Sequence, residues 1–123
     1  MQFRTRKLIK PEDLNPHHTL FGGRLLAWID EECGIYAGCQ LQTTSIVTKY
    51  MSEIDFRRPA RCGDVIEFGV ETAHVGTTSI TVRCEVREKK SKETIISVER
   101  VVFVALDAEG RPSAHQLASR PAA

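Results

Sequence analysis

The chain has 123 residues, 41% of them hydrophobic and 27% charged, which is the composition of a single soluble globular domain. Seventeen Lys and Arg residues against sixteen Asp and Glu residues give a formal net charge of +1, which excludes the strongly basic surface that nucleic acids and anionic membranes attract. No apolar run approaches the roughly 20 residues of a membrane-spanning helix, and the opening residues lack the apolar core of a secretion signal. We therefore expect a cytoplasmic protein with neither nucleic-acid nor membrane partners.

The first part of the chain predicts a strand, a loop and a long helix. Residues 3–10 form the predicted strand, and residues 11–19 are rich in turn-forming residues and predict a loop. From residue 20 to about residue 40, apolar side chains recur at helical spacing at positions 21, 25, 29 and 36. Small residues within this stretch predict that the helix packs closely against a sheet.

The remaining chain predicts β-strands, because apolar and polar residues alternate there. Strands are predicted at residues 45–55, 64–74, 80–87 and 94–106, with turn-forming residues between them. Short connections favour antiparallel neighbours, so these strands are expected to form a four-stranded meander. The predicted fold class is α+β, with an antiparallel sheet wrapped around one long central helix.

Cysteine and histidine spacing gives no sign of a metal or redox site. The four cysteines lie at positions 33, 39, 62 and 84, which matches neither a zinc-binding pattern nor a redox dithiol. His17 and His18 are adjacent and are not four residues apart on a helix, so a metal site there is not expected. We interpret the cysteines as reduced thiols and expect no metal or other cofactor.

A glycine pair and an aspartate make the helix the first candidate for a functional site. Gly22 and Gly23 stand at its amino end, where free backbone N–H groups and the missing side chains suit a negative charge or a polarised carbonyl oxygen. Asp30 follows seven residues after Gly23. The pattern alone leaves two interpretations of Asp30 open, a catalytic carboxylate or a solvated helix residue beside Glu31 and Glu32.

The order of residues along the chain resembles that of one enzyme family. Residues 15–30 read Asn-Pro-His-His-Thr-Leu-Phe-Gly-Gly-Arg-Leu-Leu-Ala-Trp-Ile-Asp, followed by Phe-Arg-Arg-Pro at 56–59, Gly-Asp at 63–64, Gly-Thr-Thr-Ser at 76–79 and Val-Phe-Val-Ala-Leu-Asp at 102–107. This arrangement resembles the hotdog-fold acyl-CoA thioesterases, specifically the short bacterial acyl-CoA hydrolase branch. The resemblance covers about residues 5–112, which predicts one hotdog domain over residues 1–112 and a mobile tail over residues 113–123.

The resemblance implies hydrolysis of acyl-CoA to a free carboxylic acid and coenzyme A. It implies that Asp30 is the general base or nucleophile, that Asn15 orients the carbonyl or water, and that the Gly23 N–H polarises the thioester oxygen. Without the resemblance, Asn15 before Pro16 is read as a turn residue.

Further residues are expected to contact the substrate. Arg58 is a candidate partner for the phosphates of coenzyme A, because an arginine fork suits a phosphate group. His18 stands where the family usually has glycine, which brings an imidazole close to the expected site. The other candidates are Phe21, Gly22, Thr78 and Ser79.

The length of the helix constrains how the catalytic residues can meet. Gly23 and Asp30 are about 10 Å apart along the helix axis, so they cannot both reach one carbonyl. Two antiparallel copies of the helix across a twofold axis would bring Asp30 of one subunit near Gly23 and Asn15 of the other. The minimum active unit is therefore expected to be a homodimer, and the resemblance suggests a trimer of dimers, that is, a hexamer.

Two other functions remain open from the sequence. One is a hotdog module that binds acyl-CoA without turning it over. The other is an acyl dehydratase of the same fold, for which His18 would have to supply the base. The sequence does not determine the acyl-chain length.

Overall fold

One long helix lies against one face of a five-stranded antiparallel sheet in the computed structural model, which describes residues 1–117. The elements are β1 (Gln2–Leu8), a 3-10 turn (Pro11–Asp13), α1 (Gly22–Leu41), β2 (Ile46–Phe56), β3 (Val65–Val75), β4 (Ser79–Glu88) and β5 (Thr94–Ala105). The strand order is β1-β3-β4-β5-β2. The predicted α+β class, with one helix and five strands, is confirmed. Within residues 1–117, no helix is both long enough and apolar enough to cross a membrane.

The prediction of a four-stranded meander is wrong for β2. Strands β3, β4 and β5 do follow one another as neighbours, but β2 pairs with β5 at the far edge of the sheet, and β1 occupies the place beside β3. Residues 57–64 cross the end of the sheet, since the Arg57 N–H donates to the Ile95 carbonyl and the Gly63 N–H donates to the Ile9 carbonyl. Residues 57–64 therefore connect β2 at one edge of the sheet to β3 near the other edge, and they do not form a hairpin.

The core lies between α1 and the inner face of the sheet. One row of the helix is buried at every fourth position, which is the spacing of one helix face. Strand β4 contributes a matching row at every second position. The two rows are Leu25, Ile29, Cys33, Ala37 and Leu41 on the helix, and Ile80, Val82, Cys84 and Val86 on the strand.

All four cysteines lie in the described part of the chain and are unpaired. Cys33 and Cys84 are buried, whereas Cys39 and Cys62 are exposed. A hydrogen bond with Cys84, together with burial, raises the pKa of the Cys33 thiol far above its ordinary value. Cys33 is thus held as an apolar thiol of the core.

The chain stays in contact with the sheet beyond residue 112, the predicted end of the domain. The Ser113 N–H donates to the Ala105 carbonyl at 2.8 Å, and the His115 N–H donates to the Thr77 carbonyl at 3.1 Å. Leu117 is half-buried and packs against the core. The contacts therefore extend the packed domain to residue 117, and the rest of the predicted mobile tail, residues 118–123, lies outside the described residues.

A buried carboxylate organises the outer face of the sheet. The Glu67 side chain is only 3% exposed and accepts hydrogen bonds from Arg6 at 3.1 Å, Arg87 at 3.1 Å and Lys92 at 3.2 Å. Burial alone would raise the pKa of Glu67, but the hydrogen bonds from Lys92, Arg87 and Arg6 outweigh it and lower the pKa to about 2. Glu67 thus joins its own strand β3 to β1, to β4 and to the turn between β4 and β5.

We predict that Glu67→Gln lowers the free energy of unfolding at pH 7 by about 2 kcal/mol, because three cations lose their shared carboxylate. The pKa of Glu67 is lowered from 4.5 to about 2 in the folded protein, so its contribution is complete above pH 4.5 and is lost as the pH falls towards 2. Urea denaturation across this pH range should show the difference between wild type and variant shrinking below pH 4.5. The exposed Glu109→Gln is the control, and an equal effect of both substitutions would contradict the prediction.

Candidate active site

The amino end of α1 is open. Its first residues are Gly22 and Gly23, its N-cap is Phe21, and among the described residues no side chain caps it. The first backbone bond of the helix is donated by the Leu25 N–H to the Phe21 carbonyl at 3.1 Å. The N–H groups of the first turn therefore have no acceptor within the helix and form a positive end suited to an oxyanion.

Phe21 and Phe56 place their rings beside the two glycines. A Cβ on Gly22 would stand 3.4 Å from the Phe56 ring, and a Cβ on Gly23 would stand 3.0 Å from the Phe21 ring. Phe21 is 53% exposed and Phe56 is 52% exposed, although both are large apolar residues. The helix start is thus flanked by aromatic surface that remains open in the single subunit.

Asn15 is held inside the loop before the helix. Its amide Nδ2 donates to Thr19 Oγ1 at 2.9 Å, and its Oδ1 accepts from the backbone N–H groups of His17 at 2.9 Å and Thr19 at 3.2 Å. Both polar atoms of the side chain already have partners, which supports the interpretation of Asn15 as a turn residue. The catalytic role of Asn15 stays a prediction.

His18 adopts a backbone conformation that favours glycine. Its φ is 60°, in the left-handed region, and its side chain is exposed. The family that this chain resembles usually has glycine at position 18, and the backbone φ at this position is positive. The imidazole lines neither of the cavities described below.

Asp30 lies on α1, half-buried, and faces β2. Its Oδ1 accepts a hydrogen bond from the Thr48 hydroxyl at 2.6 Å, which orients the carboxylate. Sequence reasoning did not identify Thr48. The alternation of β2 could have indicated it, because Thr48 lies two residues after the half-buried Ile46 and so shares its face of the strand.

Four of the predicted site residues line two separate cavities of the subunit. Asp30 and Thr48 line a cavity of about 930 Å³ that follows the carboxyl half of α1. Asn15, Gly22 and Arg58 line another of about 400 Å³ beside the amino end of the helix. Within one subunit, Asp30 and the residues beside the amino end of the helix therefore lie in different cavities. This agrees with the separation of about 10 Å along the helix between Gly23 and Asp30.

Arg58 is tied to the loop before β5. One of its guanidinium nitrogens donates to a carboxylate oxygen of Glu93. Its Nε is buried and has no hydrogen-bond partner within residues 1–117. The side chain is 32% exposed and therefore keeps donors available beside Asn15 and Gly22.

Thr78 lies in the turn between β3 and β4, Ser79 is the first residue of β4, and neither lines either cavity. The Thr78 carbonyl accepts from the Ala105 N–H at 2.8 Å, and the Ser79 carbonyl lies 2.7 Å from His115 Nε2. These backbone contacts give the turn a structural role, and the predicted contacts of both residues with substrate stay predictions. His115 was not identified from the sequence.

A single long helix held on a five-stranded antiparallel sheet is the architecture of the hotdog proteins, and solved hotdog thioesterases share it. Residues 17–95 match the family model of the thioesterase superfamily. The chain belongs to this superfamily, and the family resemblance found in the sequence is confirmed.

Three similar proteins show the range of the likeness. The uncharacterized acyl-CoA thioester hydrolase YkhA of Bacillus subtilis is 37% identical over 111 residues, which cover 83% of this chain and 60% of YkhA. An acyl-CoA hydrolase of Staphylococcus aureus, solved with butyryl coenzyme A, coenzyme A and coenzyme A disulfide, is 32% identical with a TM-score of 0.80, over 90% of this chain and 66% of that one. The hexameric thioesterase y2039 of Yersinia pestis is 29% identical with a TM-score of 0.85, over 93% and 94% of the two chains. This chain thus spans less than two thirds of YkhA.

We predict that His18→Gly is more stable than His18→Ala by about 1 kcal/mol, because alanine retains the strain of the left-handed conformation and glycine does not. Thermal or urea unfolding of the two variants measures this difference. The same pair of substitutions at His17, whose φ is not positive, is the control, and there the alanine variant should be the more stable one. The same order at both positions would contradict the prediction.

Proposed function

We propose that this chain is an acyl-CoA thioesterase, which hydrolyses the thioester of acyl-CoA to a free carboxylic acid and coenzyme A. The observation that carries the proposal is Asp30, oriented by the Thr48 hydroxyl at 2.6 Å and lining the largest cavity described above. Membership of the thioesterase superfamily and the names of the similar proteins support the same activity.

The proposed reaction uses a water molecule and groups of the protein. The water oxygen bonds to the carbonyl carbon, the carbon–sulfur bond breaks, and the sulfur of coenzyme A takes up the proton that the water loses. Asp30 acts as the general base that removes this proton, or as a nucleophile whose acyl intermediate water then hydrolyses. The Gly23 N–H stabilises the negative charge that develops on the carbonyl oxygen. The proposal requires no metal or redox cofactor.

A dimer would join the two halves of the site. β2 is an edge strand with exposed large side chains, including Val47 at 46% and Tyr50 at 50%, and an unpaired edge of this kind favours pairing with another strand. We propose that Asp30 of one subunit works with Gly23 and Asn15 of the other. A trimer of such dimers is the larger assembly we propose, with the hexameric thioesterase of Yersinia pestis as support.

Arg58 is the proposed contact for the phosphates of coenzyme A, because its side chain is 32% exposed and lines the same cavity as Asn15 and Gly22. Phe21 offers an exposed ring beside Gly23, and His18 is an exposed residue of the loop before the helix. The four unpaired cysteines support the proposed cytoplasmic location.

The two alternative functions differ from the proposal in what Asp30 does. A module that only binds acyl-CoA has no use for a carboxylate oriented by a neighbouring hydroxyl. An acyl dehydratase would need a histidine beside the carboxylate, and His18 would have to come from the other subunit, because neither His17 nor His18 of the same subunit lines the cavity of Asp30.

We predict that the wild-type protein releases free thiol from acyl-CoAs, and that Asp30→Asn lowers kcat by about 10²–10⁴-fold because the base is lost. The measurement is thiol release from a panel running from acetyl- to palmitoyl-CoA. Glu32→Gln removes the same charge from the same helix and should retain activity. Tight binding by the wild type without turnover would favour the binding module, and hydration of an enoyl-CoA without thiol release would favour the dehydratase.

We also predict that inactive Asn15→Ala and Asp30→Ala subunits recover activity when they are refolded together. A mixed dimer contains one site with both residues intact, so an equal mixture should reach about a quarter of the wild-type activity. No recovery from two well-folded inactive parents would contradict the shared site. Full activity of the Asn15→Ala parent alone would show that Asn15 serves only the turn.

A further inference from the structure

The loop before α1 is closed by backbone hydrogen bonds. The Asn15 N–H donates to the Thr19 carbonyl at 2.8 Å, and the His18 N–H donates to the Asn15 carbonyl at 2.9 Å. The Leu20 N–H donates to the Ala60 carbonyl at 2.8 Å, which fixes the end of the loop to the connection between β2 and β3. No side chain takes part in these bonds, so the path of the loop is held without the Thr19 hydroxyl.

The side-chain oxygen of Asn15 is used by the loop itself. Oδ1 accepts from the backbone N–H groups of His17 at 2.9 Å and Thr19 at 3.2 Å. Both partners are donors, so the atom that faces them is the amide oxygen and the nitrogen lies on the other side. A carbonyl oxygen has two lone pairs, and the two backbone bonds occupy both. Oδ1 is therefore poorly placed to accept a hydrogen bond from a substrate or a water molecule.

The side-chain nitrogen of Asn15 has one donor to spare. An amide nitrogen carries two N–H groups. Within residues 1–117, its one acceptor is the Thr19 hydroxyl oxygen, which lies 2.9 Å from Nδ2 and 3.2 Å from Oδ1. Asn15 and Thr19 both line the cavity of about 400 Å³ that also contains Gly22. The second N–H is therefore the group of Asn15 that can bind a ligand there, and that ligand must offer an acceptor.

We propose that Thr19 is a positioning residue, whose hydroxyl holds the Asn15 amide so that its second N–H is presented to the carbonyl oxygen of the thioester. The inference rests on the proposed thioesterase activity and assigns the acceptor that Asn15 binds. A donor weakens the attack of a water oxygen, whereas it stabilises the negative charge that develops on the carbonyl oxygen. Asn15 and the Gly23 N–H of the same subunit then supply two donors to one oxyanion.

The test compares kcat and KM of wild type, Thr19→Val and Thr19→Ser, with the acyl-CoA that the wild type hydrolyses fastest. Valine replaces the hydroxyl by a methyl group of similar size and leaves Nδ2 without its acceptor. It should lower kcat about 10-fold and leave KM within about twofold, because a misplaced donor acts on the transition state. Serine retains the hydroxyl and should keep kcat within about threefold of wild type.

Thr72→Val is the matched control. It removes the 2.7 Å hydrogen bond between Thr72 Oγ1 and the Tyr36 hydroxyl, which joins β3 to α1, and neither residue lines the cavity of Asn15. Both kinetic constants should stay within about twofold of wild type. Equal kcat for wild type and Thr19→Val, or a Thr19→Ser variant as slow as Thr19→Val, would overturn the role of Thr19.

A double variant separates positioning from a structural role. In an Asn15→Ala background there is no amide to position, so adding Thr19→Val should lower the residual kcat by less than about twofold. A further loss of about 10-fold would show that Thr19 acts independently of Asn15 and would overturn the inference. Full activity of Asn15→Asp, which keeps the oxygen and loses the N–H, would overturn the donor role. An inactive wild type would instead overturn the proposed thioesterase activity itself.

Discussion

The structure depends on the packing of one helix against the sheet. A buried row along α1, from Leu25 to Leu41, meets the inner rows of β4 and β5, and this contact holds the helix as a rigid rod. Because the rod is rigid, the N–H groups at its amino end and the carboxylate of Asp30 keep a separation of about 10 Å. No movement within one subunit brings them to one carbonyl, so the proposed chemistry requires two copies of the helix.

The two faces and the edge of the sheet have different roles. The inner face is apolar and holds the helix, whereas the outer face carries the ion cluster around Glu67, which joins β1, β3, β4 and the hairpin before β5. The edge strand β2 differs from both: four of its six apolar residues are exposed, and its Thr48 orients Asp30. The strand with exposed apolar side chains at the edge of the sheet is therefore the strand that contacts the proposed catalytic residue.

The sequence predicted the positions of the helix and the strands well and the pairing of the strands less well. The helix was expected at residues 20–40 and lies at Gly22–Leu41, and all five strands were found close to their expected places. The pairing of β2 with β5 was missed, because residues 57–64 look like a turn but bond to Ile9, Leu20 and Ile95 across the sheet. Thr48 was missed for a related reason, since its partner lies 18 residues away on another element.

By itself, the sequence determined the helix, the strands, the open glycine start of α1 and the placement of Asp30, because these follow from periodicity and residue type over short stretches. Only the tertiary structure decided the edge position of β2, the bond between Thr48 and Asp30, the left-handed backbone at His18 and the division of the site between two cavities. Strand order, side-chain partners and cavities depend on segments distant in sequence, and neither periodicity nor local propensity specifies which of them meet.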